Sequence, residues 1–124
     1  MAKKRDREQL DQFINALMLS DEQIEFVVIA SVDMPLFYVL TNRRLIGTHL
    51  YDSGAVNTMS VNYRDISAIS IDDDGPGSGI FAQVVARDIN VFGTFGRLWM
   101  RIRDDNAGAE MYRRLAEKVF TPQN

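Results

Sequence analysis

Four side chains at alternate positions, Arg97, Trp99, Arg101 and Arg103, are the clearest candidates for recognition chemistry in this chain. In an extended strand they share one face, while Leu98, Met100 and Ile102 take the other. The single tryptophan then sits between guanidinium groups, where cation–π contacts contribute about 0.5–1 kcal/mol each. Trp and Arg are enriched at binding hot spots, so this face suits contact with a protein. A second reading makes the arginines clamps for an anionic small ligand or a lipid headgroup. A third gives the face no ligand and lays the N-terminal helix across it, hiding Trp99.

The remaining polar groups are weaker candidates. Arg43 and Arg44 follow Thr41-Asn42 and could contact an anion. A structural role is preferred: Thr and Asn hydrogen-bond a turn backbone, while an arginine stem packs over a sheet and pairs with a carboxylate. Asp65 and Asp33 are possible partners. His49, the only histidine, lies near Asp52 between Thr48 and Tyr51. It can titrate, yet no nucleophile elbow or orienting acid accompanies it, so no catalytic residue is assigned and a non-enzymatic protein is expected. Asp72-Asp73-Asp74 lacks the spacing and terminal Glu of a calcium loop, and no metal is expected. Gly75-Pro76-Gly77-Ser78-Gly79 lacks the Lys-Ser or Lys-Thr of a phosphate-binding loop; it reads as a flexible connector, and no cofactor is expected. Lys3, Lys4, Arg5 and Arg7 are diluted by Asp6 and Glu8, a solvated helix start rather than a polybasic membrane anchor.

Composition sets the frame around these residues. The 124 residues suffice for one core, and 46% hydrophobic with 25% charged residues is ordinary for a globular chain. A net charge of −3 gives no global field for nucleic acid, so no nucleic-acid partner is expected. Cysteine is absent, which removes disulfides, thiol catalysis and Cys-based zinc sites together. The basic start leads into Asp11, Gln12 and Asn15 rather than a signal-peptide core, and no apolar run reaches the roughly 20 residues of a membrane span. A cytoplasmic protein with no integral membrane segment is the expectation, peripheral membrane contact being disfavoured.

The elements that position the candidates follow from hydrophobic period. Leu10, Phe13, Ile14, Leu17 and Met18 make one helical stripe, predicting a helix over residues 5–18 that covers an edge of the main domain or forms an oligomerisation arm. From Ile24 the period shortens. Strands are predicted over 24–30, 36–40, 43–50, 56–63 and 66–71, with turns at Asp33-Met34-Pro35 and Asp52-Ser53-Gly54. In the fourth, Met59, Val61 and Tyr63 alternate with Thr58, Ser60 and Asn62, as in a sheet with one buried face. Residues 80–95 suit either helix or strand; β-branched and aromatic content favours strand. Residues 97–103 form the last strand. Asp104-Asp105-Asn106 can cap a final helix whose stripe is Met111, Tyr112, Leu115, Val119 and Phe120, ending at Thr121-Pro122. Two domain segments result: an N-terminal amphipathic helix, 1–20, and a main domain, 21–124.

Seven meander strands and one amphipathic helix, with Val39-Leu-Thr-Asn-Arg-Arg-Leu-Ile46 and Asn62-Tyr-Arg-Asp-Ile-Ser-Ala-Ile69 at the strand corners, resemble a bacterial pleckstrin-homology (PH) domain. The subtype it most resembles is the YokE-like group, over roughly residues 22–120. The resemblance implies a mainly β (α+β) fold, a bent seven-stranded antiparallel barrel capped by a C-terminal helix, here with an extra N-terminal helix. It also implies a non-catalytic binding or scaffold module whose partner is another protein or a second copy in a homo-oligomer. Lipid-binding relatives place basic residues in the first strand connection. Here that connection is Ser31-Val-Asp-Met-Pro35, with no basic residue, so headgroup binding by that route is not expected.

Overall fold

The computed structural model describes residues 2–73 and 87–120. Its elements are α1 (Ala2–Ala16), β1 (Ile24–Ser31), β2 (Leu36–Thr41), β3 (Arg44–Leu50), β4 (Val56–Asn62), a 3₁₀ turn (Tyr63–Asp65), β5 (Ile66–Asp73), β6 (Arg87–Gly93), β7 (Gly96–Ile102) and α2 (Asp105–Phe120). The strands form one four-stranded sheet, β1-β2-β3-β4, and one three-stranded sheet, β5-β6-β7. The described pairings are antiparallel between sequence neighbours, as the turn spacing predicts. The chain divides into two compact units near Ser60.

In the first unit β2 is the centre of packing. Phe37, Tyr38, Val39, Leu40 and Thr41 are all buried, so both faces of the strand are covered and its sequence reads as a continuous apolar run rather than an alternation. Val39 lies opposite Ile46 on β3. Onto these two and Phe37 the helix α1 lowers Leu10 and Ile14, forming a common cluster. Phe13, on the flank of the stripe, stays half exposed and meets Phe37 edge-on with ring centroids 6.0 Å apart. The helical stripe is thus committed to the first sheet. Regular helix stops at Ala16, two residues before the expected end, and two tighter turn bonds follow, Leu17 N–H to Ile14 O at 3.1 Å and Met18 N–H to Asn15 O at 3.2 Å. The chain then passes through Asp21 at φ +66°, a left-handed conformation that Asp tolerates better than most residues.

The second unit follows the period-2 pattern closely. Val91, Ile89, Leu98, Met100 and Ile102 are buried on one face of β6 and β7, and α2 lies against β5, β6 and β7 with Met111 and Leu115 buried. Asp104 caps α2: its Oδ1 accepts the Ala107 N–H at 3.1 Å and its carbonyl the Gly108 N–H at 2.8 Å. On the polar side two ion pairs one turn apart form, Arg114–Glu110 at 2.6 Å and Arg113–Glu117 at 2.7 Å. Phe120, expected in the buried stripe, is exposed.

Three other expectations need correction. Tyr63, expected as the last residue of the fourth strand, instead opens a 3₁₀ turn over Tyr63–Asp65, where the chain changes sheets. In β4 only Val61 is buried, with Met59 half-buried, because β4 is the outer strand of its sheet. Asp72 and Asp73 belong to β5, paired with Asp88 and Arg87, not to the loop. Of the segment 80–95, residues 87–93 are strand; 80–86, the Asp74–Gly79 connector and Thr121-Pro122 lie outside the described residues.

Candidate functional site

Register places the candidate face residue by residue. Across β5, β6 and β7 the outward rows are Ala68–Phe92–Arg97, Ser70–Asn90–Trp99 and Asp72–Asp88–Arg101. Directly opposed side chains in such rows lie within about 5.5 Å at Cβ, so Trp99 neighbours Asn90 across the strand, Arg97 and Arg101 along it, and Phe92 on the diagonal. Trp99 is 40% exposed and Phe92 38%. Two large aromatics at that exposure, beside arginines, form an amphipathic ledge rather than core. Asn90 buries its Oδ1 with no hydrogen-bond partner among the described residues.

The arginines of β7 differ in their surroundings. Arg101 Nη1 stands 3.8 Å from Asp88 Oδ1, a loose pair in which the carboxylate is mostly shielded and the guanidinium more open. Arg97 and Arg103 are exposed, and neither has an ion pair among the described residues. Arg97 and Arg101 lie on β7, the outer strand of the three-stranded sheet, and Arg103 just past its end, while Asp72 and Asp88 stand on the same face in the Arg101 row. Phe92 was not anticipated on this face. The signal lay in Asp88-Ile89-Asn90-Val91-Phe92, whose alternation places Phe92 with the polar set once the segment is extended.

The second pair of candidates resolves into structure. Thr41 Oγ1 accepts the backbone N–H groups of Arg43 and Arg44, both at 3.0 Å, and donates to Glu22 Oε2 at 2.7 Å. Asn42 Oδ1 accepts the Gln23 N–H at 2.8 Å and its Nδ2 donates to Asp21 O at 3.3 Å. Arg44 pairs with Glu22, not with Asp65 or Asp33: Nε reaches Oε2 at 2.8 Å and Nη2 reaches Oε1 at 2.9 Å. Its Nη2 also donates to Leu17 O and its Nη1 to Ser60 Oγ, each at 2.7 Å. The Glu22 side chain is fully buried and Arg44's is 15% exposed. Hydrogen bonding from Arg44 lowers the Glu22 carboxyl to about pKa 2, against burial, which alone would raise it; bonds from the Leu19 N–H and Thr41 add to the lowering. Four of the five guanidinium N–H donors of Arg44 are thus engaged within the protein. Arg43 is exposed on the turn.

His49 is half-buried near the end of β3 and meets Tyr51 edge-on, ring centroids 4.8 Å apart. Among the described residues no group of three or more His, Asp or Glu side chains is placed to hold a metal ion, and no helix is long and apolar enough to cross a membrane.

No protein-family model matches the chain, and no curated protein matches it significantly. Solved structures do match it, among them two pleckstrin-homology proteins. A protein of the DUF1696 family with a pleckstrin-homology domain from Shewanella loihica PV-4 is similar with a TM-score of 0.59, at 16% identity, covering 91% of this chain and 96% of that one. A pleckstrin-homology domain from Shewanella amazonensis SB2B is similar with a TM-score of 0.64, at 13% identity, covering 91% and 87%. At such identities the likeness is one of fold. The chain has a PH-like α+β fold, two antiparallel sheets of four and three strands with an N-terminal and a C-terminal helix.

Proposed function

We propose that this chain is a non-catalytic PH-like binding module, cytoplasmic, that makes protein contact through the outer face of β5–β7. The observation that carries the reading is the pair Trp99 and Phe92, both more than a third exposed on a face bordered by Arg97, Arg101 and Arg103. Aromatic and Arg side chains at that exposure supply the large, partly apolar area that interface hot spots use. The Thr41–Ile46 corner supports placing the chain with the YokE-like group, with residues 1–20 a helical extension on a PH-like body of residues 21–124.

Trp99→Ala tests the surface. Loss of oligomer size or of partner capture, with an unchanged circular dichroism spectrum, supports it; retention of both shows that another surface makes the contact. A second reading rests on Arg97 and Arg103, which have no ion pair among the described residues and could clamp an anionic small ligand or a headgroup. Ionic strength separates the two: an anion clamp weakens steeply with salt, an aromatic-centred contact little.

A further inference from the structure

β7 ends its sheet as an open edge: among the described residues no strand pairs with its far side. Its connection to β6 is Thr94 and Phe95 alone, so Gly93 and Gly96 exchange both backbone bonds and the ladder alternates from there. Gly96, Leu98, Met100 and Ile102 therefore turn their N–H and C=O groups toward β6. Arg97, Trp99 and Arg101 turn theirs toward the open edge, and the side chains of these same three residues form the exposed ledge. The strand runs seven residues in unbroken register, without the proline or bulge that blunts many edges. Charge alone wards off a neighbour, but a half-exposed tryptophan between two arginines adds apolar area that a neighbour can cover. The other edge strand, β5, differs: its register shifts between Ile66 and Ala68, and it ends in Asp72 and Asp73.

Resting on the reading of the Trp99 face as a protein contact, we infer that this contact is a strand addition. An extended segment of a different protein pairs antiparallel with the β7 edge, setting an acid opposite Arg97, an apolar or aromatic side chain opposite Trp99 and an acid opposite Arg101. The acids of the sheet leave room for this. Asp72, Asp88 and Arg101 form one row across β5, β6 and β7, so at about 4.8 Å per strand the guest stands beside Arg101, about 10 Å from the strand of Asp88 and about 14 Å from that of Asp72. Arg101 already faces Asp88 at 3.8 Å, whereas Arg97 has no ion pair among the described residues, so the acid opposite Arg97 contributes more. A second copy does not supply the segment. Two β7 edges paired about Trp99 set Arg97 of each against Arg101 of the other, like charges directly opposed. Nowhere in the sequence do two acids four residues apart flank a central apolar residue.

Calorimetric titration of the full chain with an end-blocked peptide centred on Glu-Thr-Tyr-Thr-Glu tests this, with the fluorescence of Trp99, the only tryptophan, reporting the site. Saturable binding that shifts the Trp99 emission is expected. In an antiparallel ladder the central Tyr amide donates to Trp99 O while both flanking Thr amides point away from β7. N-methylation at Tyr is therefore expected to weaken binding about tenfold or more, and N-methylation at either Thr by less than about twofold. Exchanging both Glu for Lys is expected to weaken it about tenfold as well. No binding to wild type, equal binding of the Lys peptide, or equal tolerance of N-methylation at Tyr and at Thr overturns the strand addition while leaving the Trp99 face a protein contact of another geometry. A Trp99→Ala chain with unchanged circular dichroism that binds the peptide as wild type does overturns the face itself.

Discussion

Arg44 grips Glu22 with two nitrogens on two oxygens, Nε to Oε2 and Nη2 to Oε1, across 22 residues of sequence. The same guanidinium holds Leu17 O at the end of the N-terminal helical segment and Ser60 Oγ on β4. One side chain thus fastens the exit of α1 to strands β2 to β4.

Acid should expose this contact. The folded carboxyl of Glu22 sits at about 2, below the ordinary 4.5, so its contribution is complete above about pH 4.5 and is lost as pH falls toward 2. The difference amounts to roughly 3 kcal/mol at about 1.4 kcal/mol per pH unit. Urea unfolding of wild type and Glu22→Gln between pH 7 and pH 2 is expected to show the two curves converging below pH 4.5. Parallel curves would mean that the buried carboxylate is not the titrating group.

Breaking the pair from one side should cost more than removing it. Arg44→Met leaves a buried carboxylate unpaired and is expected to lose about 3–5 kcal/mol. In the double variant Glu22→Gln/Arg44→Met, Gln can still accept the Leu19 N–H, so the total should fall short of the sum of single losses by about 1–3 kcal/mol. Denaturant midpoints for the four proteins measure the coupling.

Gly93 marks a close approach. A Cβ there would stand 2.3 Å from the Asp65 carbonyl oxygen and 2.4 Å from the Phe95 ring. Since backbone must move to relieve the first contact, Gly93→Ala is expected to destabilise by about 1–3 kcal/mol. Thermal unfolding reads the loss, and a neutral result would show that the 63–65 turn shifts without cost.

Neighbours on β7 should behave oppositely. Leu98 is fully buried, and Leu98→Ala is expected to cost about 2–5 kcal/mol. Trp99→Ala, one residue on and facing outward, should cost below about 1 kcal/mol while removing the proposed contact. Comparing denaturant midpoints with sedimentation behaviour separates the two faces of the strand.

Much of the fold was legible in residue order. The period change after Met18, the turn residues at Pro35, Asn42 and Gly54, and the alternation in 97–103 mark helix, corners and last strand because each reflects a local constraint. The turn-bonding role of Thr41 was likewise legible, since its Oγ1 accepts the N–H groups of Arg43 and Arg44, whereas the Asn42 side chain bonds Gln23 and Asp21, distant in sequence, rather than its own turn. What was not legible is contact across distance. Nothing near Arg44 names Glu22 as its carboxylate, and β4's thin burial depends on its place at the edge of a sheet. Phe92 escaped notice because its strand, read from residue 80, fits two periods.

The described hydrogen-bonded neighbours in both sheets are also neighbours in sequence. Assembly of these ladders therefore needs only hairpin closures, whose entropic cost grows slowly with length. In kinetic terms the β1–β2–β3 hairpins, whose connections are residues 32–35 and 42–43, are cheap to nucleate, and these short closures are the place to lengthen the chain when the folding rate is to be tuned.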